Sequence, residues 1–267
     1  MRKSIFELER RIVLQDELDR LIRFMQNEAV SADIIGSRQS FYSYMDSAIA
    51  DWNYRGTAFS IKDYLQSLGV EIDNIPYVDD ESALITLELF ANLINHTIKY
   101  IDRNTSASIY QAKAIAKKVG ENITIILEQI NMQLSSVEDR IIITKRDVDV
   151  DSVLELSPDL STLLLGYMDF RNRNDVVYKK QVLKALADEL EPKKKSFSGT
   201  SYSSLYNSVS YAFNNFSIRH NNDCQIEFET EEVIRVYDAV FKMSLQLLRA
   251  ENVAECKKVI DGYKKAQ

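Results

Sequence analysis

Apolar residues recur at every third or fourth position along most of the chain, which is the spacing of one face of an α-helix. In residues 3–29 this stripe begins with Ile5, Leu8 and Ile12. The same spacing, interrupted by capping residues, glycines and prolines, predicts a series of further helices. Their approximate ranges are 38–52, 60–69, 81–101, 106–118, 121–130, 174–192, 202–216, 230–250 and 253–265. Residues 147–170 are also predicted to be helical, with Pro158 near the first turn of its helix, where proline is tolerated.

One stretch has the period of a β-hairpin instead. Met132–Val137 and Arg140–Lys145 are rich in β-prone residues and are joined by the two residues Glu138 and Asp139. The sequence therefore predicts a mainly α fold, a multi-helix bundle with one small β-hairpin near 132–145. A hairpin after helices is also typical of a winged helix, with Arg140, Lys145 and Arg146 contacting DNA. The acidic surroundings favour a hairpin that packs on the bundle.

Proline and glycine are scarce, with 3 and 7 residues, which disfavours a turn-rich β fold and long disordered linkers. We expect two helical regions that pack together, residues 1–146 with the hairpin and residues 147–267. The charged, periodic N-terminus does not resemble a signal peptide, and no apolar run is long enough to cross a membrane. Cys224 and Cys256 form no spaced pair, which indicates reduced thiols and a cytoplasmic protein.

Most catalytic and cofactor motifs are missing from the sequence. No phosphate-binding loop or nucleophile elbow occurs, and the histidines and cysteines do not cluster as metal ligands, so we expect no cofactor and no metal. His96 is interpreted as a partly buried histidine on a helix face shared with Leu89, Leu93 and Tyr100. Trp52 lies in an aromatic and arginine-containing loop, which either stacks nucleic-acid bases or anchors the loop on the core.

The net charge is −7, so a nucleic-acid site would need a local basic patch. Residues 171–195 contain such a local excess, which ends in Lys193, Lys194 and Lys195. These lysines could bind phosphate groups. The alternative is a helix whose C-terminal end carries the cations that its dipole favours.

The strongest candidate for chemistry is the pair Arg219–His220 in a corner rich in asparagine. Arginine binds phosphate in a fork geometry, and histidine moves protons near neutral pH. Metal-independent RNA cleavage requires both functions. The neighbouring asparagines would position the RNA, and they are Asn214, Asn215, Asn221 and Asn222. The alternative is a structural corner in which asparagines cap helices.

The segment "NNFSIRHNN" between two long helices, residues 202–216 and 230–248, resembles the helical domains of abortive-infection proteins in the HEPN superfamily. The resemblance covers the C-terminal region and implies a helical bundle that is frequently dimeric and often a metal-independent RNase. The family motif is an arginine, a polar residue and then a later histidine. Arg219 and His220 match the first two positions, but Cys224, Gln225 and Ile226 stand where the later histidine is expected.

The resemblance therefore implies a phage-defence protein that engages RNA. Either His220 acts as the base of a modified site, or the domain binds RNA without cutting it. The resemblance also implies a homodimer, for which the wide apolar stripe of residues 233–248 offers a surface. The alternative is a non-enzymatic helical interaction protein, such as a sensor or regulatory subunit with a protein partner. An enzyme needs Arg219 and His220 in a cleft, whereas a scaffold would use them as surface or capping groups.

Overall fold

The computed structural model describes residues 12–31, 38–71, 78–101, 107–219 and 230–265. The chain forms two compact units, Met1–Ile143 and Thr144–Gln267. The boundary expected from the sequence, between residues 146 and 147, lies close to this division. The described residues are mostly helical with short antiparallel strands, so the expected mainly α fold with a small hairpin is confirmed.

The first unit is a helical bundle with short strands. Its elements in chain order are α1 (Leu14–Asn27), β1 (Ala29–Ser31), β2 (Arg38–Ser40), α2 (Phe41–Ala48), a 3-10 turn (Ile49–Asp51), α3 (Ile61–Ser67), α4 (Asp80–Ile101), α5 (Ala107–Gln129), β3 (Met132–Val137) and β4 (Arg140–Lys145). The core side chains come from every helix of this unit and include Leu18, Phe41, Leu65, Phe90 and Ile123, all fully buried.

The hairpin β3–β4 has the predicted bounds, and its turn places Glu138 at a positive φ of 57°. It packs on α5 and is fastened to α4 by side chains. The Asn92 amide donates to the Ile141 carbonyl oxygen at 2.7 Å and accepts from the Ile141 N–H at 2.9 Å. Glu88 accepts from the Ile143 N–H at 2.8 Å. These side chains satisfy backbone groups that a two-stranded sheet leaves unpaired at its edge, as expected for a hairpin that packs on helices.

Five expectations about local structure are wrong. Val13 is extended, so the first described helix begins at Leu14, and residues 3–11 lie outside the described part. A second strand pair, β1–β2, forms where only a break in the helical pattern was expected. Helix α5 runs through Gly120 without interruption, because Val119 and Ile123 on either side of it are buried in the core. The remaining two concern the second unit.

The second unit is a helical bundle, and its longest helix is also longer than expected. Its elements are α6 (Val148–Leu156), α7 (Ser161–Met168), α8 (Val176–Leu190), α9 (Lys194–Phe197), α10 (Ser203–Asn215) and α11 (Thr230–Lys265), with 3-10 turns at Pro158–Leu160, Phe170–Asn172 and Glu191–Lys193. The sequence predicted two helices where α11 is continuous, and a loop where α9 lies.

The core of the second unit lies where α6, α8 and α10 pack against α11. Val153, Leu183, Leu186, Leu245 and Leu247 are fully buried there. The N-terminus of α6 is capped by Asp147, whose carboxylate accepts hydrogen bonds from two backbone N–H groups of the first turn, as expected for an acidic helix start. Among the described helices, none combines the length and the apolar content that crossing a bilayer requires.

Candidate functional site

The corner that contains Arg219 begins where α10 ends. Phe216 terminates the helix, and Ser217 adopts a left-handed backbone with φ of 57°. The chain then turns back, so that Ile218 is buried in the core and the Arg219 N–H donates to the Phe213 carbonyl oxygen at 3.1 Å. The position of Arg219 is thus fixed by a buried neighbour and by a backbone hydrogen bond.

The Arg219 guanidinium lies at the C-terminal end of α8. Its Nη2 donates to the Ala187 carbonyl oxygen at 3.1 Å, to Asp188 Oδ1 at 3.2 Å and to Glu191 Oε2 at 2.6 Å. Its side chain is only 15% exposed. The hydrogen bond to Glu191 raises the pKa of Arg219 above its ordinary value. Cations at this end of a helix interact favourably with its dipole and its unpaired carbonyl oxygens, so Arg219 acts as a cap of α8.

The predicted partners of Arg219 are only partly described. His220, Asn221 and Asn222 lie outside the described residues. Asn214 is exposed at the end of α10. Asn215 donates from its side-chain amide to the Tyr211 carbonyl oxygen at 2.8 Å, one turn earlier in the same helix. Arg219 therefore lies just after the end of α10, whereas the side-chain amide of Asn215 is hydrogen-bonded within that helix.

The predicted lysine cluster divides into two kinds of side chain. Lys193 bridges Glu189 at 2.8 Å and Glu251 at 2.7 Å, and joins the end of α8 to α11. Burial lowers the pKa of Lys193, but its hydrogen bonds to the two glutamates outweigh burial and raise it overall. Lys194 and Lys195 are exposed on α9. Of the three lysines, these two are the accessible cations.

A partly buried charged cluster in the second unit was not predicted from the sequence. Lys179 is buried, and its Nζ lies 2.6 Å from Asp238 Oδ1 and 4.1 Å from the centre of the Tyr167 ring. The Tyr167 hydroxyl donates to the same carboxylate at 2.8 Å. Burial, followed by the nearby Asp238 charge, raises the pKa of Tyr167 far above its ordinary value. The cluster joins α7, α8 and α11.

A signal for this cluster was present in the sequence. Lys179 stands three and four residues before Val182 and Leu183, on the face of α8 that also carries Leu186 and Leu190. A lysine within an apolar stripe needs a partner when the stripe is buried. The partner could not be identified, because Asp238 is far away in the sequence.

The loop that contains Trp52 packs against its own unit. The indole ring makes edge contacts with Tyr54, at 5.8 Å between ring centres, and with Tyr64, at 5.3 Å. The Tyr54 hydroxyl bonds to Asp139 in the hairpin turn. The Arg55 guanidinium lies over the Phe59 ring at 4.7 Å and donates to the Ala58 carbonyl oxygen. Both contacts are edge contacts and not face-to-face stacks, so Trp52 anchors the loop as one of the two interpretations predicted, and the stacking of a base on its ring stays a prediction.

Comparison with known proteins gives no match. No family model fits the chain, and no curated protein and no solved structure matches it.

Proposed function

We propose that this chain is a non-enzymatic helical interaction protein, of the sensor or regulatory-subunit kind, in which the Arg219 corner is structural. The observation that carries the proposal is the hydrogen bonding of the Arg219 guanidinium to Ala187, Asp188 and Glu191. An arginine that binds a phosphate needs accessible N–H groups. Here the Arg219 Nη2 already donates to two carboxylates and a carbonyl oxygen, and the side chain is only 15% exposed, so little of the guanidinium is accessible to a phosphate.

The role in phage defence stays a prediction that rests on the resemblance of residues 202–248 to HEPN-superfamily domains. A regulatory subunit of an RNA-directed defence system would satisfy both that resemblance and the capping geometry of Arg219. For direct contact with RNA, the exposed Lys194 and Lys195 are the candidates among the described lysines of the cluster.

The surface that we assign to a protein partner is the groove between α10 and α11. It is an open cavity of about 980 Å³ with an apolar floor that includes Phe216, Val236 and Met243. Tyr211 on its wall is 55% exposed. Exposed apolar grooves between helices commonly bind an amphipathic helix, and most oligomers of soluble proteins are formed by identical chains. We therefore assign the groove to a second copy of the chain, in a homodimer.

The structural role of Arg219 is tested by comparing Arg219→Ala with Arg235→Ala. Arg235 is exposed and pairs only loosely with Glu232, at 3.7 Å, so its variant is the matched control. We expect Arg219→Ala to lower the free energy of unfolding by about 1 kcal/mol, because the part-buried Ala187 carbonyl oxygen loses its donor and the end of α8 loses a cation, whereas the exposed Asp188 and Glu191 can be hydrated. The control should change it by less than about 0.5 kcal/mol.

The same variants distinguish a structural role of the Arg219 corner from a catalytic one. If the wild type cleaves RNA or inhibits growth on expression, and Arg219→Ala loses that activity while keeping wild-type stability, the corner is a catalytic site and the proposal is wrong.

The homodimer is tested by light scattering at tens of micromolar protein. Ala239→Arg places a long cation at an exposed position in the groove and should yield monomer, whereas Val177→Arg, at an exposed position of α8, should leave the dimer intact. A monomeric wild type would remove the assignment of the groove to a second copy.

A further inference from the structure

The first unit contains a polar cavity of about 300 Å³ between α4 and the loop that follows α2. Asn92, Asn95, His96 and Lys99 line it from α4. Positions 92, 95, 96 and 99 have the i, i+3, i+4, i+7 spacing of one helix face, so they form one polar stripe along a helix that is otherwise mostly buried. His96 is half-buried, as expected, and it lies at the edge of the helix face that carries the buried Leu89 and Leu93.

The opposite wall is formed by the loop and the hairpin turn. It consists of Asp51 at the end of the 3-10 turn, of Trp52, Asn53 and Tyr54 in the loop, and of Asp139 in the hairpin turn. The wall is held before any ligand arrives, because Tyr54 bonds to Asp139 and Trp52 is packed against two tyrosines. A wall with fixed side chains loses little conformational entropy when a ligand binds.

The lining groups divide into those that build the cavity and those that are open to a ligand. Asn92 is engaged by the backbone of β4, and Tyr54 is engaged by Asp139. Asn95 and Lys99 make no side-chain hydrogen bond or ion pair with the residues that the structure describes. An amide and a cation are thus available beside an aromatic ring.

A second cavity of about 200 Å³ adjoins the first and shares Asp51 and His96 with it. Small-molecule pockets in proteins commonly have volumes of roughly 300–1,000 Å³. The first cavity, of about 300 Å³, is at the lower end of this range and suits a ligand of the size of a mononucleotide.

We propose that this cavity binds a nucleoside 5′-monophosphate, either free or as one unpaired nucleotide of RNA. The base would stack on Trp52, since every base has a π-face that an aromatic side chain can accept. The Asn95 amide offers both a donor and an acceptor to the edge of the base. Lys99 supplies the cation for the phosphate, and Asp51 can accept from ribose hydroxyls.

Trp52 is the only tryptophan of the chain, so its fluorescence reports on this cavity. The test titrates the full chain with each of the four common ribonucleoside monophosphates, with adenosine, with ribose 5-phosphate and with a short single-stranded RNA. At least one monophosphate should change the Trp52 fluorescence saturably. The corresponding nucleoside should bind about tenfold more weakly because it lacks the phosphate.

Two variants test whether Lys99 contacts the phosphate and whether Asn95 contacts the base. Lys99→Met should remove the difference between the monophosphate and the nucleoside, whereas Lys118→Met, at an exposed position of α5, should preserve it. Asn95→Leu should weaken binding of the preferred base about tenfold and reduce discrimination between bases. Tighter binding of the RNA than of the monophosphates identifies RNA as the source of the nucleotide, and the reverse identifies a free nucleotide.

The proposal is overturned if no monophosphate and no RNA changes the Trp52 fluorescence at millimolar concentration. It is also overturned if ribose 5-phosphate binds as tightly as the best monophosphate, because the base would then make no contribution. The affinity of a variant is interpreted only if its far-UV circular dichroism matches that of the wild type. Lys99 is exposed, so Lys99→Met should retain the fold.

Discussion

Replacing Asp238 by asparagine should leave a charged lysine without its counter-ion in the second unit. The Asp238 carboxylate is 2.6 Å from Lys179 Nζ and accepts from the Tyr167 hydroxyl at 2.8 Å. Asparagine has nearly the same shape and keeps an oxygen that can accept from Tyr167. The substitution therefore removes the negative charge with little change in packing.

The magnitude follows from the exposure of the two partners. Removing one partner of a fully buried ion pair costs roughly 3–5 kcal/mol. The Lys179 side chain is 4% exposed, but that of Asp238 is 46% exposed, so water partly screens the charge that is left. We expect Asp238→Asn to lower the free energy of unfolding by about 2–3 kcal/mol.

Lys179→Met is the matched control because it removes the cation and keeps most of the apolar stem. We expect it to cost less, about 1 kcal/mol, since the Asp238 carboxylate that is left without its partner is 46% exposed and can be hydrated, whereas the lysine left by Asp238→Asn is buried. In the double variant, Asp238→Asn should add little to the effect of Lys179→Met, because no cation is then left to lose its partner.

The assay is urea unfolding followed by far-UV circular dichroism, with the midpoint compared at unchanged slope. Hydrogen exchange of peptides from α8 and α11 locates the effect, and these two helices should lose the most protection. The reasoning is refuted if Asp238→Asn costs no more than Lys179→Met, or if the two single effects simply add.

Glycines and a helix cap give two further predictions. Gly120→Ala should stabilise the chain by about 0.5–1 kcal/mol, since the added methyl group lies in mid-helix and meets nothing within 4 Å. Gly166→Ala should destabilise it by about 1–3 kcal/mol, since its Cβ would lie 1.9 Å from the Tyr178 hydroxyl. Urea unfolding checks the pair, because the two variants should shift the midpoint in opposite directions. Asp79 accepts from the Ser82 N–H at 2.7 Å, and this hydrogen bond lowers its pKa. The cap formed by ionised Asp79 stabilises the folded chain above the ordinary pKa of 3.8, and this stabilisation is lost as the pH falls through the lower folded-state pKa. Asp79→Ala should therefore cost about 1 kcal/mol at neutral pH and progressively less in acid. A difference in the urea midpoint that does not change with pH would contradict this.

The sequence by itself determined the parts of the fold that depend on neighbouring residues. The hairpin has the predicted bounds because alternation and a two-residue turn act locally. Ser60 caps α3 through the Asp63 N–H, and Asp79 caps the start of α4, since a cap bonds within its own first turn. The mainly helical fold followed from the spacing of apolar residues for the same reason.

Only the tertiary structure decided the partners of the charged and polar side chains. Arg219 is hydrogen-bonded to residues about thirty positions earlier, and Lys179 pairs with Asp238 on another helix. The Arg219 motif suggested a phosphate ligand, but packing brought the C-terminal end of α8 to the guanidinium. The cavity beside Trp52 likewise combines a loop, a helix face and a hairpin turn. A charged side chain that is removed from water needs a partner of opposite charge. The sequence contains many carboxylates, and only the packing of the helices decides which of them becomes that partner.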